Sequence, residues 1–164
     1  IRNILSQETQ PAKIITDGSS SPRYRIGAWA SRIVMGQDSL ILQDTEHDTS
    51  QHAMELKAVI SSLQYIQYRF QNVFAVAVYT DSQYVLTLVE RQERLVANDF
   101  KSRKGRAIAN QELIRRFYAL LMQFHVSMIK VPGHAKSGIS QISDYHREVD
   151  KLSRKLVRQE IANL

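Results

Sequence analysis

Three carboxylates stand where acidic side chains commonly bind metal ions. Asp17 ends a short apolar segment, Glu55 opens an amphipathic helix pattern, and Asp81 follows a β-branched and aromatic segment. Ends of strands and starts of helices converge in layered folds, so carboxylates there can surround a hard divalent cation. Each also has a structural alternative, as a turn residue or a helix cap. Asp150, in what the pattern predicts to be the first turn of the last helix, is a fourth candidate.

Positive charge is concentrated in the second half of the chain. There are 22 Lys and Arg against 16 Asp and Glu, with eight basic and three acidic residues between Arg91 and Arg116. A compact basic cluster lies within residues 101–106. A basic segment of this kind favours a polyanion partner over a surface that is merely solvated. A membrane partner is disfavoured, because no amphipathic helix with an aromatic face accompanies the cluster. With the carboxylates, the basic segment predicts phosphodiester hydrolysis by two metal ions.

Composition excludes several other classes of protein. The 164 residues suit one domain, with residues 1–12 as a tail or linker and 13–164 as the folded part. Cysteine is absent, which excludes disulfide frameworks, thiolate zinc sites and cysteine nucleophiles. The longest apolar run, Val73–Tyr79, is too short to span a membrane. The expected location is cytoplasmic.

Alternating and helical patterns predict the elements that position these residues. The predicted strands are 13–18, 27–35, 39–43, 73–80 and 125–131. Helical periodicity begins near residue 52, runs from 83 into the basic segment until Gly105, and returns over 111–123. A polar loop, 134–145, precedes the last helix. This order predicts a single α/β domain with a mixed sheet flanked by helices.

Five motifs give the chain a family resemblance. In their order and spacing they resemble type 1 ribonuclease H, including the ribonuclease H domain of reverse transcriptases. The resemblance implies a ribonuclease H-like fold with a five-stranded mixed sheet. The motifs are Ile15-Thr16-Asp17-Gly18-Ser19, Met54-Glu55-Leu56-Lys57-Ala58, Val78 to Val85, Val131-Pro132-Gly133-His134 and Val149 to Arg154.

The resemblance implies specific roles for the motif residues. Two Mg²⁺ ions, for which Mn²⁺ can substitute, would be bound by Asp17, Glu55, Asp81 and Asp150. His134 matches a loop histidine that assists proton transfer and product release. The implied activity is endonucleolytic cleavage of the RNA strand of RNA–DNA hybrids, with little dependence on sequence and with 5′-phosphate products.

Other residues match positions that contact the substrate. Gln83 and Asn110 match contacts to backbone and bases, while Gln51 and His52 stand where the family usually has two asparagines. Segment 88–108 matches a basic handle helix, which predicts binding of the hybrid without a partner domain. The further candidate contacts are Ser19, Ser82, Lys101, Arg103, Lys104 and Arg106.

Several alternatives stay open on the sequence. Asp144 rivals Asp150 as the fourth ligand, and His146 is expected to lie on the surface. The loop after His134 resembles retroviral and retroelement versions, which favours a reverse transcriptase domain with a polymerase upstream over a free-standing enzyme. If the source is a retrovirus, the resemblance implies a virion-associated protein. A catalytically silent nucleic-acid-binding module and an integrase-type nuclease are competing hypotheses.

Overall fold

Apolar segments of β-branched residues form a central sheet in the computed structural model, which describes residues 11–132 and 138–164. The sheet has five strands in the order β3-β2-β1-β4-β5. Strands β1, β2 and β3 are antiparallel, whereas β4 and β5 run parallel to β1, so the sheet is mixed as predicted. The strands are β1 (Ala12–Ser21), β2 (Ile26–Met35), β3 (Asp38–His47), β4 (Ala75–Thr80) and β5 (His125–Lys130).

Helices cover both faces of the sheet. Successive residues of β1 point to opposite sides, so its neighbouring apolar residues need a packing partner on each face. Ile14 packs with Leu56 and Phe117 in one core, and Ile15 packs with Val149 in another. The first core contains α1 and α4, and the second contains α5. The helices are α1 (Gln51–Arg69), α2 (Gln83–Glu90), α3 (Gln92–Ala97), α4 (Gln111–Leu121) and α5 (Gln141–Ala162).

Two strands extend beyond their predicted ends. The prediction ended β1 at Gly18, but residues 19–21 continue to pair with residues 26–28 of β2. The predicted end of β3 at Gln43 is also wrong, because its pairing with β2 continues to His47. Pairing partners satisfy the backbone groups of these polar residues, which explains why polar composition did not end the strands.

Two helical boundaries also differ from the expectation from sequence. The helix predicted to run through the basic segment ends at Ala97, and Asp99 and Phe100 follow with positive φ angles. The last helix begins at Gln141, where the Ser140 hydroxyl accepts a hydrogen bond from Ser143 N. Its first turn therefore contains Asp144, and Asp150 lies two turns further on.

At the other end of the domain, Ala12 is fully buried and pairs with Val76, so it belongs to the sheet rather than to the expected tail. Residues 1–10 lie outside the described part of the chain. Within residues 11–132 and 138–164, none of the helices combines the length and the apolar character needed to cross a bilayer.

Candidate metal centre and nucleic-acid surface

Strand register brings Asp17 and Asp81 together. The last paired residues of β1 and β4 are Ile15 and Tyr79, and the two aspartates each lie two residues further along parallel neighbouring strands. Adjacent parallel strands are about 4.8 Å apart, so residues in matching positions are neighbours. Asp17 therefore lies beside Asp81 and within β1, whereas the sequence suggested that it ends the strand.

Helix α5 supplies further polar groups to the same place. Val149 packs on Ile15, which directs this face of α5 towards the sheet. Asp150 follows, and its carboxyl group lies close enough to that of Asp17 to contribute to the raised pKa of Asp17. Asp150 also forms an ion pair with Arg154, whose Nε atom lies 3.0 Å from Asp150 Oδ1. Asp17, Asp81 and Asp150 form what is called here the carboxylate cluster.

His146 lies one turn before Asp150 and faces the cluster. Its Nε2 atom is 3.6 Å from Asp81 Oδ1, and the residue is only 5% exposed. The expectation of a surface histidine is therefore wrong. The sequence contains a signal for His146, which lies four residues before Asp150, a spacing that places both residues on one face of a helix. Using that signal requires a helix that begins as early as Gln141. Ile142, Tyr145, Val149 and Leu152 indicate this early start, since they continue the helical periodicity.

The environment of Asp17 disfavours its ionised form. Burial raises the pKa of Asp17 to about 9, and the neighbouring carboxylates Asp81 and Asp150 contribute in the same direction. The hydrogen bond that Gly18 N donates to Asp17 Oδ1, at 2.9 Å, acts against this rise. Carboxylates that lie close together in a partly buried place repel each other unless a proton or a cation intervenes.

Glu55 lies on α1 and contacts Ser82, the neighbour of Asp81 in the chain; it opens the second turn of the helix rather than the first. Ser82 Oγ donates to Glu55 Oε2 at 2.5 Å, and Gln51 Nε2 donates to Glu55 Oε1 at 3.1 Å. Gln51 Nε2 also donates to the carbonyl oxygen of Gly18 at 2.7 Å. These bonds link Glu55 to the residues that follow Asp17 and Asp81.

Gly18 allows α1 to approach β1 closely at this point. A Cβ atom on Gly18 would lie 2.5 Å from Glu55 N and 2.7 Å from the carbonyl carbon of Met54. Backbone atoms cannot move aside as a flexible side chain can, so any larger residue would push α1, and Glu55 with it, away from β1. The glycine in the Asp17-Gly18 pair is thus required by packing rather than by a turn.

The donor atoms fit a divalent cation. One oxygen each from Asp17 and Asp81 and one ring nitrogen of His146 lie within 4.8 Å of one another. Hard carboxylate oxygens suit Mg²⁺ and Mn²⁺, and a cation would relieve the repulsion that raises the pKa of Asp17. The residues could therefore hold the predicted metal, with Asp150 and Glu55 as adjacent carboxylates.

Two further residues predicted for this site have different outcomes. Asp144 Oδ1 accepts a hydrogen bond from Gly138 N at 3.0 Å and lies 3.8 Å from Arg147. Half-exposed and bonded to the start of its own helix, Asp144 is not part of the cluster, whereas Asp150 is. The predicted His134 lies outside the described residues.

The basic residues of segment 101–106 form a loop between α3 and α4. Ser102 N donates to the carbonyl oxygen of Arg106 at 2.7 Å, which closes residues 101–106 into a tight loop, the basic loop below. All six of its residues are exposed, so the handle is a loop here rather than the expected helix. Its basic residues are Lys101, Arg103, Lys104 and Arg106.

A cavity of about 470 Å³ connects the basic loop to the start of α1. Its lining includes Arg106, Asn110, His52 and Tyr84. The rings of His52 and Tyr84 are stacked, with centroids 4.1 Å apart and planes within 3°. Asn110 Nδ2 donates to the Tyr84 hydroxyl at 3.3 Å, which brings a predicted substrate contact to this cavity.

Other predicted substrate contacts are placed differently. Ser82 is 4% exposed, and its hydroxyl accepts from Val85 N while it donates to Glu55. Its side chain therefore holds Glu55 and caps α2, which argues against the direct contact expected from sequence. Gln83 is exposed and accepts a hydrogen bond from Lys130 Nζ at 3.3 Å, and Ser19 is half-buried on β1.

Comparison with known proteins now defines the family. A family model described as RNase H matches residues 9–158, nearly the whole chain. The chain belongs to the ribonuclease H family. A ribonuclease H of Syntrophomonas wolfei subsp. wolfei is 32% identical over 124 residues, covering 74% of this chain and 83% of that protein. A ribonuclease H of Ruthia magnifica subsp. Calyptogena magnifica is 30% identical over 143 residues, covering 85% and 96%.

A solved structure shows the same fold. The foamy viral protease-reverse transcriptase in complex with dsDNA aligns with a TM-score of 0.71 and 17% identity, covering 88% of this chain and 92% of that one. The predicted ribonuclease H-like fold, with its five-stranded mixed sheet, is confirmed. This protein is thus a ribonuclease H, as its motifs suggested.

Proposed function

We propose that this ribonuclease H cleaves the RNA strand of RNA–DNA hybrids at the carboxylate cluster, with two divalent cations. The observation that carries the proposal is the convergence of Asp17 and Asp81 from parallel strands with Asp150 from α5. Nuclease families use such clusters because phosphodiester hydrolysis needs charge stabilisation on both attacking and leaving oxygens. The proposed ligands are Asp17, Glu55, Asp81 and Asp150.

Bound Mg²⁺ or Mn²⁺ would supply an activated water and would stabilise negative charge on the leaving oxygen. The protein's own contribution is to hold the ligands in place. Ser82 and Gln51 fix both oxygens of Glu55, and Gly18 lets α1 approach the strand. Preorganised ligands of this kind lose little conformational entropy when the substrate binds.

Recognition of the hybrid is assigned to the surface between the basic loop and α1. A-form duplexes are recognised by shape, by phosphates and by 2′-hydroxyl groups in the wide minor groove. The exposed Gln51 and His52 at the start of α1 offer hydrogen-bonding groups beside the cluster, and the basic loop offers charge for phosphates. His134 is proposed, from the family motif, to transfer a proton to the product, since imidazole titrates near neutral pH.

A cleavage assay tests the proposal. A labelled RNA–DNA hybrid with Mg²⁺ is expected to give 5′-phosphate RNA fragments, while single-stranded RNA, duplex RNA and duplex DNA stay intact. Asp81→Asn should lower the rate by at least about 100-fold, because a neutral amide is a poor ligand for a hard cation. The matched control is Asp38→Asn, at an exposed position at the start of β3.

Thermal unfolding of both variants checks that the fold is kept. Full activity of Asp81→Asn would contradict the metal assignment. A wild-type protein that binds the hybrid without cleaving it would instead favour the silent module.

We also propose, as in the sequence analysis, that the domain is part of a reverse transcriptase with a polymerase in the same polypeptide. The fold of the foamy viral protein supports this context, whereas the bacterial relatives are named simply as ribonuclease H. The complete reading frame decides between the two. A polymerase upstream is expected, and an isolated ribonuclease H frame would contradict the proposal.

A further inference from the structure

The buried imidazole of His146 has no evident structural function. Its Nε2 atom has no hydrogen-bond partner among the described residues, although the residue is 95% buried. Leaving a buried polar atom without a hydrogen bond is destabilising, so proteins rarely keep one without a use. The separation of 3.6 Å from Asp81 Oδ1 is too long for a hydrogen bond.

The same separation fits two ligands of one ion. Donor atoms about 2.1 Å from a metal lie about 3–4.2 Å apart, depending on whether they are adjacent or opposite. His146 Nε2 and Asp81 Oδ1 fall inside that range, and an Asp17 oxygen completes a group within 4.8 Å. His146 also lies four residues before Asp150 on α5, a spacing at which one helix face presents two ligands.

Resting on the proposed function, we propose that His146 is a nitrogen ligand to a divalent cation of the carboxylate cluster. The consequence is a change in metal preference. Imidazole binds Mn²⁺, Co²⁺ and Zn²⁺ better than Mg²⁺, which strongly prefers oxygen. The site therefore selects Mn²⁺ over Mg²⁺ more strongly than a site built from carboxylates alone.

Spectroscopy of bound Mn²⁺ tests this independently of catalysis. Electron spin echo envelope modulation detects nitrogen nuclei bound to Mn²⁺, and labelling with ¹⁵N-histidine assigns the signal to imidazole. The wild-type protein is compared with His146→Asn and His146→Gln, and titration with Mn²⁺ and Mg²⁺ gives both affinities. His125→Asn is the matched control, because His125 is exposed on β5, while His134→Asn tests the loop histidine of the family motif.

We expect imidazole modulation in the wild type and in His125→Asn and His134→Asn, and none in either His146 variant. The Mn²⁺ affinity of His146→Asn should fall about tenfold or more, and its Mg²⁺ affinity about threefold or less. Thermal unfolding of the metal-free variants separates loss of a ligand from loss of the fold, and His146→Gln provides a second substitution.

Contrary outcomes distinguish this inference from the proposed function. If Mn²⁺ binds, is lost in Asp81→Asn and gives no imidazole modulation, His146 is not a ligand and the proposed function stands. If the modulation disappears in His134→Asn but persists in His146→Asn, the nitrogen belongs to the loop histidine. Absence of saturable Mn²⁺ binding to the wild type would overturn both proposals together.

Discussion

At the scale of single residues, Asp17 is the clearest sign that the site is built for a cation. It is 8% exposed and lies beside two other acids, and these surroundings raise its pKa to about 9. A carboxylate so placed opposes folding in the absence of a counter-charge, because its ionised form loses solvation and meets repulsion. The position of Asp17 therefore agrees with the proposed role in binding a cation better than with a role in stabilising the fold.

The pH dependence of stability tests this interpretation of Asp17. Between pH 4 and pH 9 the folded protein keeps a proton on Asp17 that the unfolded chain releases, so the free energy of unfolding falls as pH rises. Asp17→Asn removes this decline. Denaturant unfolding is measured between pH 5 and pH 8 in the presence of a metal chelator. The free energy of unfolding should decline with pH more steeply in the wild type than in Asp17→Asn, by up to about 1.4 kcal/mol per pH unit.

Asp38→Asn serves as the control, since this exposed acid lies at the far end of β3 from the cluster. Its stability curve should follow that of the wild type. Parallel curves for the wild type and Asp17→Asn would show that Asp17 is not protonated in the folded protein at neutral pH.

At the scale of elements, the basic loop shows how packing overrides helical periodicity. Phe100 is 7% exposed and packs against Tyr118, while the guanidinium of Arg115 lies 4.2 Å from the centroid of its ring. Holding Phe100 in this position requires the positive φ angles of residues 99 and 100, which no helix can contain. The charged residues that follow are presented in a short exposed loop.

Phosphate binding by the basic loop can be measured as a salt dependence. Replacing Lys101, Arg103, Lys104 and Arg106 with alanine should weaken hybrid binding and reduce the slope of log affinity against log salt. The expected reduction is about 0.9 for each phosphate that the loop neutralises, since every neutralised phosphate releases counterions. Binding of a non-cleaved hybrid at several salt concentrations gives both quantities.

A variant with the same change in net charge provides the control. Lys13, Arg69, Lys155 and Arg158 are exposed basic residues outside the loop, and their joint replacement removes equal charge. A loop variant whose slope matches the wild type, or equals that of this control, would contradict phosphate binding at the loop.

At the scale of the whole molecule, the site depends on two layers meeting across β1. One face of β1 packs on α1, which carries Glu55, and the other packs on α5, which carries His146 and Asp150. The proposed ligands thus come from β1, from the end of β4 and from helices on opposite faces of the sheet. The arrangement of these side chains is therefore kept only while α5 stays packed against β1.

Weakening that docking should affect stability and metal binding together. Ile15 is fully buried against Val149, so Ile15→Ala leaves a cavity and should lower the free energy of unfolding by about 2–5 kcal/mol. Mn²⁺ affinity should fall as well, because α5 positions two proposed ligands. The control is Ile139→Ala, at a position that is 66% exposed. Unfolding curves and a Mn²⁺ titration measure both effects. An unchanged Mn²⁺ affinity of Ile15→Ala would show that the metal site does not depend on the packing of α5.

The sequence by itself determined the five strands, the α/β class and the family. Alternating and helical periodicity reports which side of a local segment is buried, and that information is present in a stretch of ten residues. The motifs around Asp17, Glu55 and Asp81 identified these acids as candidates because each combines an acidic residue with the strand or helix that carries it. None of this required knowing which elements are neighbours.

Only the tertiary structure decided where elements end and which side chains meet. Residues 19–21 continue β1 because β2 pairs with them, and the turn at Phe100 exists because a core accepts its ring. His146 faces Asp81 because α5 begins at Gln141 and docks through Val149 onto Ile15. Such outcomes depend on contacts between residues far apart along the chain, and local patterns do not contain them.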